Sequence, residues 1–306
     1  MNPYIMRIVL GQSSIWLSLL VLPYTAKSFS AGRQLKLLAD ARQPSSLKMF
    51  FANEEPQQKE TESTSSVAAA PVDLVTSDNE GFLNMCGSFL VEAFWLHSPH
   101  HQLGDNIYVS DEARTGLMIE QCSDLQEKYG ERLGQRMTKN CVVGALDPEE
   151  KTMLGVFTLK ETLMIKEILD GDQAEAIAKN AVASLGPKER RQYKGASIDT
   201  IANELLSPDT KAVCVLSNLA VSPLARRRGI ARTLCEEAEA LASDWGYSEI
   251  HLLVESENMS ARNLYEGKLG YQTALVQEDA VALRADVESG SFVQTRADTL
   301  VLFKNL

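Results

Sequence analysis

From Val213 to Val221 the chain is apolar at nearly every position, and Ser222-Pro223 stops the run, so a strand is predicted over 213–221. The period then lengthens. Ile230, Leu234, Ala238 and Leu241 fall on one stripe, predicting an amphipathic helix over about 229–245. Gly246 ends it, as glycine does just past a helix C-terminus. A second apolar strand is expected over 250–254, and Asn258 opens a further short helix that carries Leu264 and Tyr265. Upstream, 72–76 reads as a strand. Residues 80–96 read as a helix with Phe82, Met85, Phe89, Leu90 and Phe94. Ser110 is placed to cap a long helix over about 111–137, whose stripe is Leu117, Met118, Cys122, Leu125, Tyr129 and Leu133. Residues 141–146 and 153–159 are expected to form two strands around the turn Asp147-Pro148-Glu149-Glu150-Lys151. After Tyr271, strands are expected at 272–276 and 299–304, with 278–297 as the loop between them.

The chemistry gathers where the first of these strands meets its helix. Helix N-termini leave backbone N–H groups without partners and carry a partial positive charge, so phosphates bind there. Gly229 permits close approach because it has no Cβ, and Ala231 is small. Arg226, Arg227 and Arg228 add guanidinium groups, which suit phosphate oxygens. Taken alone, three arginines before a helix are also an ordinary solvated charge run.

The spacing Arg226-x-x-Gly229-x-Ala231 after a strand, joined to Asn258-x-x-Ala261-x-x-Leu264-Tyr265 and Gly270-Tyr271, resembles the acetyl-CoA site of the GNAT superfamily of N-acetyltransferases. The resemblance implies an α/β (α+β) fold. Its mixed, mainly antiparallel sheet of six to seven strands is flanked by helices and splayed at the fourth and fifth strands. It also implies a cofactor-binding set. Leu219, Ala220 and Val221 lie along the pantetheine arm. Arg226, Arg227, Arg228, Gly229, Ile230, Ala231 and Arg232 surround the pyrophosphate, and Asn258, Met259 and Ser260 sit at the exit of the fifth strand. Tyr265 falls at the family's general-acid position. A tyrosine pKa near 10 keeps that proton available at neutral pH, and core packing against Leu264 and Leu269 is the other reading of the same residue. The residues do not single out a base. Glu255 and His251 lie on the same face of the fifth strand, and neither is assigned. No metal is implied. The family's third and fourth strands are usually joined by a short connection, whereas here 161–210 intervene. That stretch is helical in pattern at Ile165, Ile168, Leu169, Ala176, Ile177 and Ala181 and is broken at 186–191. It is expected to be an insertion near the acceptor side, with a solvated spacer as the alternative.

Composition and the chain's beginning add a location. The chain has 306 residues, 44% of them hydrophobic, and five scattered cysteines, Cys86, Cys122, Cys141, Cys214 and Cys235, read as buried free thiols. Arg7, an apolar run over 8–22 and Ala26-Lys27-Ser28 form a signal-peptide-like segment, 1–28, too short and polar for a confident membrane span. Residues 29–52 are basic and acid-poor, like a transit peptide, and 53–70 are a polar linker expected to be disordered. The domain is therefore expected over 71–306. Residues 1–52 carry six basic groups and one acid, so the formal charge of −11 becomes −16 for the remainder. So acidic a protein is a poor candidate for general nucleic-acid binding and is compatible with cationic amines.

The sequence thus reads as an acetyl-CoA-dependent N-acetyltransferase acting on protein N-terminal α-amines, lysine ε-amines, or both, in the plastid. Its motif block resembles the plastid GNAT proteins of plants. Acetylation of an arylalkylamine or polyamine, or acyl-CoA binding without turnover, are the alternatives. The two-part presequence resembles that of algae with secondary plastids; simple secretion is its alternative. A fluorescent reporter fused to residues 1–70 is expected to enter the plastid in a manner that depends on Phe29. Export of the reporter, or its retention in the cytosol, overturns the expectation.

Overall fold

The computed structural model describes residues 71–98, 101–103, 109–132, 136–166, 168–169 and 173–306. The segments expected at 1–28, 29–52 and 53–70 lie outside the described residues.

Strand β1 (Asp73–Thr76) leads to α1 (Glu80–Leu90), whose Asn79 side chain caps Phe82 N at 2.8 Å. The helix widens into a π-helical turn, Val91–Leu96, and a two-residue strand comes next, β2 (Gln102–Leu103). Ser110 caps α2 (Asp111–Tyr129) by accepting from Ala113 N. This helix stops at Gly130, not near 137. The Gly130 backbone is extended (φ −66°, ψ 166°), and Leu133 lies outside the described residues. Strands β3 (Asn140–Leu146) and β4 (Met153–Ile165) form the expected hairpin. Its turn is held by Asp147 Oδ1, which accepts from Glu149 N and Glu150 N at 2.9 and 3.0 Å.

β4 runs six residues past the predicted end, because Leu163 is buried beside Ala174 and Ile198, and Met164 beside Leu169 and Val213. Ile165 therefore ends a strand and Ile168–Leu169 form β5, so the helical pattern read into those residues is corrected. Helices α3 (Ala174–Ser184), α4 (Pro187–Arg190) and α5 (Ile198–Leu205) complete the insertion. It is no solvated spacer: Ala174, Ala178, Ile198 and Ile201 bury against Leu163 in a core of their own. Leu163 pairs with Ala212, near the start of β6 (Thr210–Val221), whereas the cradle lies beyond the other end of that strand. The insertion is thus anchored at the end of β6 away from the cradle.

A 3-10 turn (Pro223–Ala225) leads into α6 (Ile230–Asp244), then β7 (Glu249–Glu255) and α7 (Met259–Lys268). The stretch expected as a loop, 278–297, is instead the body of a long hairpin, β8 (Gln272–Asp286) with β9 (Ser291–Asn305).

The sheet order is β1-β3-β4-β6-β7-β9-β8-β2, with β5 on β4. Pairing is antiparallel except at β6–β7 and β2–β8. Among the described residues nine strands stand where six to seven were expected; the surplus is β2 and β5, each too short to leave a periodic signal. On one face Phe157, Leu159, Leu216, Leu252 and Leu302 pack under Ile230 and Leu234 of α6. On the other, Val142, Val156 and Ala220 lie beneath Leu83, Cys86, Leu90 and Leu125 of α1 and α2. Among the described residues no helix is long and apolar enough to cross a membrane.

The β8–β9 turn is locked onto the first turns of α2. Gly290 has φ 68°, and a Cβ there would stand 2.5 Å from Ala113 Cα and 2.7 Å from its carbonyl oxygen. Backbone meets backbone at this point, so neither side can yield cheaply. Gly290→Ala is expected to destabilise the protein by about 1–3 kcal/mol, the usual cost of overpacking, in urea denaturation. A midpoint equal to wild type overturns this account of the turn.

Candidate active site

The site begins with one extra residue. Val156 of β4 faces Ala220 and Thr158 faces Ser217, so Asn218 and Leu219 together oppose Phe157. Such a bulge bends its strand and raises its twist. Asn218 takes the left-handed backbone it requires (φ 54°), and its Nδ2 donates to Thr158 Oγ1 at 3.1 Å. Asparagine is among the few residues that accept that conformation readily. Beside the bulge, β6 and β7 pair only from Cys214–Ile250 to Leu216–Leu252. Beyond Leu216 and Leu252 they share no ladder, while β7 stays paired with β9 as far as Glu255 and β6 with β4 as far as Val221. The expected splay at the family's fourth and fifth strands is therefore here, between β6 and β7. Leu219 and Val221 sit half-buried on its β6 side, and Ala220 is turned into the core beneath α1.

At the end of β6 the chain curls into the cradle. Arg226 is extended (φ −63°, ψ 157°), Arg227 is left-handed at φ 65°, and Gly229 is left-handed at φ 85° as the N-cap of α6. Left-handed residues alternating with ordinary ones turn successive N–H groups toward a common point, an anion-binding arrangement. The amides of Arg227, Arg228, Gly229, Ile230 and Ala231 have no backbone acceptor among the described residues. Arg232 differs from its sequence expectation. Its amide donates to Gly229 O at 3.0 Å and its Nε to Glu236 at 2.7 Å, so both are engaged within α6.

The three arginines divide. Arg226 braces the loop, donating from Nε to Val221 O and from Nη2 to Ala93 O, each at 3.4 Å. Arg227 and Arg228 are exposed. The Ile230 side chain belongs to the core, which leaves only its backbone at the cradle.

Asn258 is the N-cap of α7, its Oδ1 accepting from Ala261 N at 3.1 Å, and Met259 and Ser260 stand exposed on the first turn. Tyr265 is 8% exposed and its ring meets Tyr271 edge-on at 5.7 Å. Burial, with Cys235 adding to it, pushes its phenol well above the ordinary tyrosine range. The side chain therefore keeps its proton at neutral pH, as an acid must before it acts.

All five cysteines are free. Burial raises Cys86 and Cys235 to about 12 and Cys141 to about 11, so none of these three offers a thiolate at neutral pH.

The two unassigned candidates for a base separate in space. His251 sits in the paired part of β7, is 2% exposed and leaves Nδ1 without a partner. Burial lowers its pKa to about 4, with Lys211 adding to this and Glu249 opposing it. Glu255 lies at the open end of β7. Arg284 of β8 grips both its oxygens, at 2.7 and 2.8 Å, and His101 Nδ1 stands 3.9 Å from Oε1. Sequence reasoning missed Arg284 and His101. Arg284 interrupts an apolar alternation, Ala282-Leu283-Arg284-Ala285, inside what was read as loop, and that was the available signal.

An anion cradle at a helix N-terminus, opening beside two strands that part after three paired residues, has the form to suit an extended, phosphate-bearing ligand. Residues 196–271 match the acetyltransferase (GNAT) family model. GNAT acetyltransferases use acetyl-CoA. Among curated proteins the chain is similar to GCN5-related N-acetyltransferase 4, chloroplastic, of Arabidopsis thaliana. The two are 35% identical over 89 residues, which cover 28% of this chain and 30% of that protein. Among solved structures it is similar to Chaetomium thermophilum Naa20 in complex with a bisubstrate analogue, at 16% identity and TM-score 0.42, over 77% of this chain and 87% of that one. A mosquito arylalkylamine N-acetyltransferase like 5b is similar at 16% identity and TM-score 0.41, over 77% and 100%.

His251 also makes the fold acid-sensitive. Its folded pKa of about 4 lies below the ordinary 6.5, so between those values the unfolded chain takes up a proton that the folded chain refuses. The stability this provides is complete above pH 6.5 and is lost as pH falls toward 4. His251→Gln is expected to flatten the fall in unfolding free energy across that window relative to wild type, measured by urea titration at a series of pH values. Parallel curves for the two proteins overturn the assignment.

Proposed function

We propose that the protein transfers the acetyl group of acetyl-CoA to a primary amine, on protein N-terminal α-amines, lysine ε-amines or both, in the plastid. The observation that carries the proposal is the split between β6 and β7 opening directly beside the free N-terminus of α6. An extended arm can lie along the β6 edge at Leu219–Val221, its carbonyls and amides replacing the missing strand. The amides from Arg227 to Ala231, with the exposed Arg227 and Arg228 side chains, suit a pyrophosphate. The left-handed Gly229 and the unpaired strand edge fit a ligand of this kind.

The chemistry asked of the site is modest, because a thioester carries a good leaving group. Holding the amine against the carbonyl carbon supplies much of the rate. The N–C bond forms, the C–S bond breaks, and the departing thiolate needs a proton. Tyr265, protonated and near the exit of β7, is its source in this reading. The net charge of −16 beyond residue 52 favours a cationic acceptor at long range. The plastid location draws support from the chloroplastic relative, of which this chain spans 30% of the length, and from the basic, acid-poor N-terminal stretch.

The purified protein with acetyl-CoA and a panel of acceptors tests this: a peptide with a free α-amine, an N-blocked lysine peptide, a polyamine and an arylalkylamine. Acetylation of the first two classes is expected. A preference for the small amines corrects the acceptor, and acetyl-CoA binding with no transfer to any of them leaves a non-catalytic binder. Within that experiment, Tyr265→Phe is expected to keep acetyl-CoA affinity within a few-fold while kcat falls about 10²-fold. Gly229→Glu, which places a carboxylate in the cradle, is expected to abolish the thermal shift caused by acetyl-CoA. An unchanged kcat in the first variant removes Tyr265 from the mechanism, and a normal shift in the second removes the cradle.

A further inference from the structure

The bulge of β6 turns two neighbouring side chains to one face. Leu216 and Leu219 both pack with the core under α6, yet they stand three positions apart where an unbroken strand would set them two apart. The break falls between them. Ser217 pairs with Thr158, so both side chains share the face covered by α1 and α2, where Val156 and Ala220 also pack. Asn218 points the same way, because its Nδ2 reaches Thr158 Oγ1 at 3.1 Å. Re-aiming one side chain is what a bulge does.

These two residues lie at the apex of the β6–β7 split. Leu216 is the last residue of β6 laddered to β7, and Ser217 and Asn218 follow it directly. Both are half-buried. Thr158 is 0% exposed and fixes one end of the Asn218 carboxamide. The other end, Oδ1, and the Ser217 hydroxyl have no hydrogen-bond partner among the described residues. Two oxygen acceptors thus stand on adjacent residues and one face, where the two strands part. The cradle lies beyond the opposite end of the free β6 edge. A ligand with its pyrophosphate on the amides from Arg227 to Ala231, and its arm running back along Val221 to Leu219, brings its tip to Asn218 and Ser217.

Resting on the acetyl-transfer reading of this site, we propose that Ser217 and Asn218 hold the acceptor amine at that tip and select a primary one. A neutral primary amine carries two N–H groups and one lone pair. One N–H donates to Asn218 Oδ1 and the other to Ser217 Oγ, both of which accept. The lone pair is left for the thioester carbon. A secondary amine has one N–H and satisfies only one of the two oxygens. The bonds and protons of the step balance. The ammonium first loses a proton to solvent. Its nitrogen then bonds to the carbonyl carbon as the C–S bond breaks. The thiolate takes the proton of Tyr265, and one N–H proton passes through water to the phenolate. One amide, one thiol and the original phenol result, with one proton released to solvent.

The test uses the full chain, acetyl-CoA, the acceptor peptide that the wild type acetylates fastest, and the same peptide N-methylated at the reacting amine. Ser217→Ala removes one oxygen. Asn218→Gly removes the other and keeps the bulge, since glycine accepts φ 54° without cost. In each, kcat/KM for the primary amine is expected to fall about 10-fold, with KM for acetyl-CoA unchanged. The preference for the primary over the N-methylated peptide is expected to narrow. Asn218→Asp, which also tolerates the left-handed backbone, sets a carboxylate beside the amine and favours its charged form. The rising limb of kcat against pH is therefore expected to move up by about one unit. The thermal shift on adding acetyl-CoA verifies that each variant is folded with its cradle intact. Folded Ser217→Ala and Asn218→Gly proteins that keep acceptor kcat/KM within twofold of wild type overturn the proposal. So does an undiminished preference for the primary amine, or an Asn218→Asp profile that superimposes on the wild type's. Each of those outcomes leaves acetyl transfer itself standing. A wild type that binds acetyl-CoA and acetylates no acceptor overturns the acetyl-transfer reading, and this proposal with it.

Discussion

The open end of this sheet depends on a single surplus residue in β6. Asn218 and Leu219 stand opposite Phe157 alone, and the strand bends there instead of continuing beside β7. Without the bend the β6–β7 ladder would close, and the edge from Leu219 to Val221 would be used up in pairing. The bend has a local cost, a non-glycine residue at φ 54°, which the hydrogen bond from Asn218 to Thr158 helps to offset. The rest of the candidate site is hung on the two ends that this bend separates. The β6 end leads into the cradle and α6; the β7 end leads into Asn258, α7 and Tyr265.

Around that gap, charge is divided between the two sides. On the cradle side the structure offers backbone dipoles and two exposed arginines. Across the gap it offers a carboxylate that is already matched by a guanidinium and touched by an imidazole. Arg226 stays on the cradle side: it steadies the turn after β6 and also holds the carbonyl of Ala93, which packs with Ala220. The buried histidine of β7 belongs to neither. It is neutral at pH 7 and packs in the paired part of the sheet, tilted against Phe303 at 6.3 Å.

The cradle and the elements around it were legible in the sequence because their signals are local. An apolar strand, a glycine and a helical stripe lie within a few turns of one another, and Gly229, Tyr265 and the N-cap Asn258 all fall on the elements their pattern predicts. What failed to show was whatever depends on partners far along the chain. The bulge leaves no mark, since one extra residue in a strand apolar on both faces does not disturb the pattern. The β8–β9 hairpin was read as loop because Glu278 and Asp279 sit at its register shift, between Gln277 and Ala280, although Val293, Thr295 and Ala297 alternate with the exposed Gln294, Arg296 and Asp298 along β9. The α3–α5 insertion was half seen. The stripe of α3 is readable, but Ile165, Ile168 and Leu169 fit a helix as well as the strands they form until Leu163 and Ala212 are known to pair. Arg284 and His101 have no meaning apart from Glu255, which neither sequence position announces.

The two sides of the gap also differ in how the chain assembles them. The cradle, α6, β7 and Tyr265 come from one unbroken stretch, 210–271, and the family match ends at that same residue. The wall beyond β7 gathers His101, Arg284 and Phe292 from both ends of the domain, and the bond from Phe292 N to Glu120 joins positions 172 residues apart. The first half is a cassette, able to keep its form when its surroundings change. The second is a meeting place, where a substitution in any of several segments can reshape the wall without disturbing the cassette.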